Sequence, residues 1–248
     1  MNHALARDPA SAPSRFPGAS LPARAGIRIE GLGRRFGFRW ILRGVTLAVA
    51  PGQAIAILGA NGSGKSTLLR VVGTLLKPNA GSVTVSGLDI ERNANGVRRQ
   101  LGYLAHAAGI YDDLTARENL EFAADMLGEP RESVAGVLYR IGLASVADQR
   151  ARGFSAGMQR RLALGRLILR KPSVLLLDEP YSNLDADGVT LMNSVVADTI
   201  DGGGVAMIAL HELAPARGVL HGTFTLVNGR VGTRLTDIGE SMRVLELN

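Results

Sequence analysis

Cysteine is absent from the 248 residues. That excludes disulfide staples, thiolate metal sites and a cysteine nucleophile. Aromatic side chains make up only 4% of the chain, with a single tryptophan. A stacking platform for single-stranded nucleic acid needs more of them. Lysine is also scarce: Lys65, Lys77 and Lys171 carry every side-chain ammonium, and arginine supplies the other basic residues. The net charge of +6 is spread over scattered residues and pairs such as Arg34-Arg35, Arg98-Arg99 and Arg160-Arg161. No basic stripe forms, which argues against nucleic acid as a partner. No apolar run approaches the ~18 residues of a membrane-spanning helix, so a membrane role has to run through a partner. The first residues lack the charged start and apolar core of a secretory signal.

What is present is enough for a sizeable core, since 46% of the residues are hydrophobic. Met1 to about Ala25 is rich in Ala, Pro, Ser and Arg with no apolar period, which predicts a disordered leader before an ordered domain over about 26–240. Ile27–Leu32 alternates as a strand, and Trp40–Val49 is a second strand closed by Pro51-Gly52. A helix after residue 67 is expected to end in the turn Lys77–Gly81. Ser82–Gly87 and Leu101–His106 read as strands. Thr115 and Glu118 have the spacing of a capping box before an apolar stripe of Leu120, Phe122, Ala123, Met126 and Leu127. Helical patterning over about 107–170 predicts an inserted helical subdomain. Val174–Asp178 and Val205–Leu210 are short buried strands, and Asn228-Gly229 turns a hairpin. Strands alternating with helices imply an α/β fold with a mainly parallel sheet.

One stretch organises the rest: Gly59-Ala60-Asn61-Gly62-Ser63-Gly64-Lys65-Ser66-Thr67. It fits the P-loop pattern G-x-x-x-x-G-K-[ST], between an apolar strand and a helix. Glycines let the backbone curl so that its N–H groups point at an anion, and the helix N-terminus adds partial positive charge. Lys65 can reach the β- and γ-phosphates, Ser66 can ligate Mg²⁺, and Thr67 can take an α-phosphate oxygen.

Ligands of such sheets lie beyond the C-terminal ends of the strands. Besides the P-loop, three strand ends carry polar groups: His106, Asp178-Glu179 and His211. Asp178 can hold Mg²⁺, and Glu179 can act as general base on water. His211 can contact the γ-phosphate or order that water. Ser155-Ala156-Gly157 at a helix start makes a second anion site. A chain that already has a P-loop has no obvious need for a second such site, and the surplus is explained if it serves the nucleotide of another copy. Phe36, upstream of the P-loop, can stack on adenine or simply fill the core.

Taken together, from Ile27 to Val231, this ordered series resembles the ABC-type ATPases, the nucleotide-binding subunits of ABC transporters. The resemblance implies a P-loop ATPase core with an N-terminal antiparallel β subdomain and an inserted helical subdomain. It implies that Phe36 stacks on adenine, that Gly59 to Thr67 hold the phosphates of ATP, and that Asp178 and Glu179 are the Mg²⁺ acid and catalytic glutamate. Phe154-Ser155-Ala156-Gly157-Met158 resembles the family's signature L-S-G-G-Q, which contacts ATP on the opposite subunit of a head-to-tail dimer. Ser182-Asn183-Leu184-Asp185 resembles the D-loop and His211 the switch histidine. The family also implies a separate integral membrane permease, with the ATPase peripheral on the cytoplasmic face of the cell membrane.

Two departures stand out. Ala156 and Met158 replace Gly and Gln in the signature, while Ser155 and Gly157 remain. His106 stands where the family usually has a glutamine that senses Mg²⁺, and an imidazole has a shorter reach and fewer bonds than an amide. The segments Gly102–Ala107, Leu114–Leu120, Ser155–Arg161 and Asp185–Val189 are similar to the haem-exporter ATP-binding subunits of cytochrome c maturation. ATPases of drug, lipid or polysaccharide exporters are the near alternative. Soluble ABC-type proteins acting on nucleic acid usually carry two ATPase domains or a long coiled-coil insertion, and neither occurs here. An adenylate-type kinase leaves Ser155, Gly157 and His211 without a role.

Overall fold

The structure, a computed structural model, describes residues 26–107 and 109–235. The leader expected over 1–25 and the last residues of the expected domain, 236–240, lie outside the described residues. Ile27–Phe36 (β1), Arg39–Val49 (β2), Ala80–Val85 (β4) and Leu88–Asp89 (β5) form an antiparallel sheet in the order β2-β1-β4-β5. Gln53–Leu58 (β3), Leu101–Leu104 (β6), Val174–Asp178 (β7), Val205–Ala209 (β8), Gly222–Val227 (β9) and Arg230–Leu235 (β10) form the second sheet. Its order is β10-β9-β3-β8-β7-β6. All its neighbours run parallel except β9 and β10, which turn at Asn228-Gly229. Both turn residues have positive φ, 49° and 75°, as a two-residue type I′ hairpin requires.

The central strands read as unbroken apolar runs because each feeds two cores. Leu175, Leu177, Ala206 and Ile208 pack with the helices Ala116–Leu127 (α3), Ser133–Arg140 (α4), Ala156–Arg170 (α5) and Ala186–Asp201 (α6). Val174, Leu176, Val205 and Met207 face the other way. They meet Lys65–Val72 (α1) and the antiparallel sheet, where Ile27, Ile29, Leu32 and Val45 are fully buried. A short helix, Ala94–Gln100 (α2), leads into β6.

Three expectations are corrected. The P-loop helix does not run on to Lys77–Gly81. It ends at Val72, where Gly73 caps it and Thr74 takes the left-handed conformation, and β4 already begins at Ala80. Strand β6 stops at Leu104, so His106 sits in the bend beyond it. The apolar stripe of α3 splits in two. Leu120, Ala123 and Ala124 are buried, whereas Phe122 and Met126 are 42% and 74% exposed. Residues 122 and 126 lie on one face four residues apart, rotated ~200° from Leu120 by the helical period. That face borders a cavity of about 580 Å³ shared with Leu75, Tyr103 and Tyr111.

Candidate active site

The sheet order places β3, β8, β7 and β6 side by side. The four polar strand ends read from the sequence are therefore neighbours in space. The P-loop follows β3, His211 follows β8, Asp178 ends β7, and His106 follows β6.

The P-loop curls because its glycines adopt backbone angles that other residues avoid. Gly59, Gly62 and Gly64 have φ of 146°, 76° and 110°. A Cβ on Gly59 would lie 2.4 Å from the Leu226 carbonyl oxygen, so the strand β9 beside it enforces glycine by space as well. Inside the loop the Ser63 hydroxyl is buried with no hydrogen-bond partner. Lys65 is buried, and its ammonium donates to the carbonyls of Gly59 at 2.5 Å and Ala60 at 3.3 Å. Burial lowers the Lys65 pKa, and the carboxylates of Glu179 and Asp178 oppose that shift. Asn61, Ser66 and Thr67 join the wall of a cavity of about 340 Å³, with Phe36, Arg39 and Glu179.

At the far side, the Ser66 hydroxyl donates to Asp178 Oδ1 at 3.0 Å. Asp178 is 2% exposed, so a nearly buried carboxylate and a hydroxyl share one spot at the mouth of the P-loop. This pair of hard oxygen donors suits Mg²⁺, which keeps most of its water and takes few protein ligands. Glu179, one residue on, has a left-handed backbone, φ 49°, which turns its side chain away from the strand. Its two oxygens meet two imidazoles: Oε1 is 2.7 Å from His211 Nε2, and Oε2 is 3.4 Å from His106 Nδ1. His106, expected near the metal, thus lies against the carboxylate of Glu179.

Phe36 is 48% exposed beside the cavity, so it does not fill the core. The Arg34 guanidinium stacks on its ring, 4.7 Å from the centroid. Ser155 and Gly157 are not brought to this cavity. Ser155 caps α5 by accepting from the Met158 N–H at 3.3 Å and is otherwise exposed. Gly157 packs so closely on the 182–185 loop that a Cβ would lie 2.8 Å from the Asn183 carbonyl oxygen. Asp185 caps α6 through the Gly188 N–H and pairs with Arg161 at 2.5 Å. That pairing, with the capping bond, holds the Asp185 carboxyl below its ordinary value.

Two residues escape a sequence reading of the site. Arg39 lines the cavity mouth, and nothing in its local pattern marks it. Arg160 looks like half of a surface pair, yet it is 4% exposed and reaches the main chain of both β6 and β7 ends. A signal was there: on α5, residue 160 shares a face with the buried Ala163, Leu164 and Leu167.

The model of the family described as ABC transporter matches residues 42–182, more than half of the chain. The chain belongs to the ABC transporter family of ATPases. Among curated relatives, it is 39% identical to the cytochrome c biogenesis ATP-binding export protein CcmA 2 of Cupriavidus metallidurans, over 80% of this chain and 95% of that protein. It is 36% identical to the corresponding CcmA of Methylococcus capsulatus, over 76% of this chain and 92% of that protein. Among solved structures, an ATP-binding subunit of an ABC transporter superposes with a TM-score of 0.80 at 25% identity, covering 89% of this chain and 93% of that one. A dimeric ATP-binding cassette bound to ADP and phosphate shares the fold at 23% identity, with a TM-score of 0.74 over 85% of this chain and 98% of that one. Among the described residues no helix is long and apolar enough to cross a membrane.

Proposed function

We propose that this ABC ATPase is the energy-supplying subunit of an exporter in cytochrome c biogenesis, with haem as the exported cargo. The observation that carries the reading is the 39% identity to a cytochrome c biogenesis export ATPase that this chain covers over 95% of its length. The chain works at the cytoplasmic face of the cell membrane, docked on a separate integral membrane permease. Exposed Phe122, Met126 and Tyr111 around the 580 Å³ cavity support such a partner, because they form an apolar surface that the other described residues do not cover.

In this reading the N–H groups of residues 59–67 cradle the phosphates of ATP, and Lys65 exchanges its two carbonyl acceptors for phosphate oxygens. Phe36 stacks on the adenine. Ser66 and Asp178 would hold Mg²⁺, whose chemistry is to neutralise charge on the transferring phosphoryl group. Glu179 accepts the proton of the attacking water, and His211, 2.7 Å from Oε1, holds the carboxylate in the direction of the γ-phosphate. Ser155 and Gly157 are the phosphate contacts offered to a second copy, and Asp185 fixes the loop beside them.

The test is complementation in cells from which this chain has been deleted. They should lose their c-type cytochromes, and the wild-type chain should restore them. Lys65→Ala should not, through loss of hydrolysis. Met126→Glu should not either, although its purified form still hydrolyses ATP, because a charge in the apolar cavity blocks the permease. Normal c-type cytochromes in the deletion strain would overturn the cargo and leave an ATPase of another exporter.

A further inference from the structure

Among the described residues Arg160 is the one buried guanidinium, and it lies at the site. A guanidinium has five N–H donors in a planar fork. Here each contact is to a main-chain carbonyl and none is to a carboxylate. Nε donates to Pro180 at 3.1 Å. One terminal nitrogen donates to Ala105 at 2.6 Å and His106 at 3.3 Å. The other donates to Asp178 at 3.1 Å and Glu179 at 2.6 Å. The side chain therefore rises from α5 and ties two separate segments together: the bend after β6, which carries His106, and residues 178–180, which carry Glu179.

We infer that Arg160 is a positioning residue for ATP hydrolysis, holding the Glu179 carboxylate and the His106 imidazole in register by bonding to the carbonyls of both their peptides. The inference rests on Glu179 being the base of the ATPase. The carbonyl of Glu179 belongs to a residue in the left-handed conformation, φ 49°, which other residues than glycine seldom hold unaided. The 2.6 Å bond from Arg160 anchors that peptide. The same fork grips the carbonyl of His106, whose ring meets Glu179 Oε2 at 3.4 Å. Both ends of the imidazole–carboxylate contact are thus set by one rigid plane. The P-loop lies on a different strand end and receives no bond from Arg160, so nucleotide affinity does not depend on it.

Purified wild type, Arg160→Lys and Arg160→Gln test this, each alone and combined with Glu179→Gln. The readouts are the dissociation constant for ATP, kcat, KM and Tm. Arg160→Gln should lower kcat about 100-fold, the scale of a misplaced catalytic group, with ATP affinity within about threefold. Arg160→Lys keeps the charge but not the fork, and should recover less than about a tenth of wild-type turnover. In the Glu179→Gln background neither substitution should change the residual rate by more than about twofold, because no base remains to be positioned. Wild-type kcat in folded Arg160→Gln, or the same loss of rate in both backgrounds, overturns the inference and leaves Arg160 a packing residue. If Arg160→Gln does not fold, Arg160→Lys in the two backgrounds decides the matter alone. A wild-type chain whose turnover does not depend on Glu179 overturns the assignment of the base, and the inference with it.

Discussion

Lys65 rests on the carbonyls of Gly59 and Ala60, and a nucleotide offers it charged acceptors in their place. No other lysine is near: Lys77 follows α1, and Lys171 follows α5 and pairs with Glu129. Lys65→Ala is therefore expected to remove hydrolysis, by at least ~100-fold in kcat, the scale for one preorganised charge at a transition state. The fold should survive, since the ammonium has only two carbonyl partners. Wild-type turnover in a purified Lys65→Ala sample would contradict the P-loop reading. His106 allows a finer test. Its imidazole faces Glu179 Oε2 at 3.4 Å from an exposed bend, so it trims the carboxylate without holding it alone. His106→Gln keeps a donor and should stay within about threefold of wild-type kcat. His106→Ala should lose about tenfold, roughly the 1.4 kcal/mol of one modest hydrogen bond. Equal rates for all three proteins would remove His106 from the reaction. At this scale the sequence exposes residues whose chemistry is local. The P-loop glycines, Asp178 and Glu179 stand in strand–turn contexts that fit a phosphate site. The partners of Glu179 were not legible, because contacts across 32 and 73 residues of chain depend on strand order, which the local pattern does not carry.

Among the elements, α3 is the one whose start was readable in full. Thr115 accepts from the Glu118 N–H at 3.1 Å, and Glu118 accepts from the Thr115 N–H at 2.8 Å. The box satisfies two donors that the helix leaves open. Thr115→Ala should cost about 1 kcal/mol in urea denaturation. This layer also carries carboxyls held below their ordinary values, two on α3 and one in the turn at residue 148: Glu118 by the Thr115 N–H, Asp125 by Arg131 and Asp148 by Arg117. A carboxyl depressed by folding stabilises the protein above its unfolded pKa of about 4, and the gain is lost as pH falls through the folded value. Denaturation midpoints should therefore drop on acidification below about pH 4, and Asp148→Asn should flatten that drop. All three groups are exposed, so each effect is small. What the pattern of α3 hid is its second apolar face. Phe122 and Met126 obey helical spacing as well as Leu120 and Ala123 do, and only packing tells a core from a surface awaiting a partner. The end of α1 was misread for a related reason: Gly73 and Thr74 stop the helix through backbone conformation, well before the proline at 78.

At the scale of the whole molecule, the proposed function gives the chain two anion sites that cannot serve one phosphate. The P-loop opens into its own cavity. Ser155 and Gly157 sit at the start of the 15-residue α5, and neither lines that cavity. A second copy, turned head to tail, would set its Ser155 over the first copy's nucleotide, and the reverse at the other site. Electrostatics makes this conditional. Each copy carries a net charge of +6, so two bare copies repel, and two polyanionic nucleotides at the interface reverse the sign locally. Dimerisation should therefore need ATP and weaken as salt rises. Hydrolysis destroys the bridging ligand, so the dimer is short-lived in the wild type. Glu179→Gln keeps the shape of the side chain but exchanges one acceptor oxygen for an NH₂ donor and cannot take a proton, and with ATP and Mg²⁺ it should accumulate as a dimer. Adding Ser155→Arg should return it to monomer, because a long cation crowds the second site while the P-loop still binds nucleotide. Light scattering with nucleotide titration reads both outcomes. A Glu179→Gln protein that binds ATP yet stays monomeric at every salt concentration would refute the shared site. A dimer that Ser155→Arg leaves intact would place the interface elsewhere on the molecule.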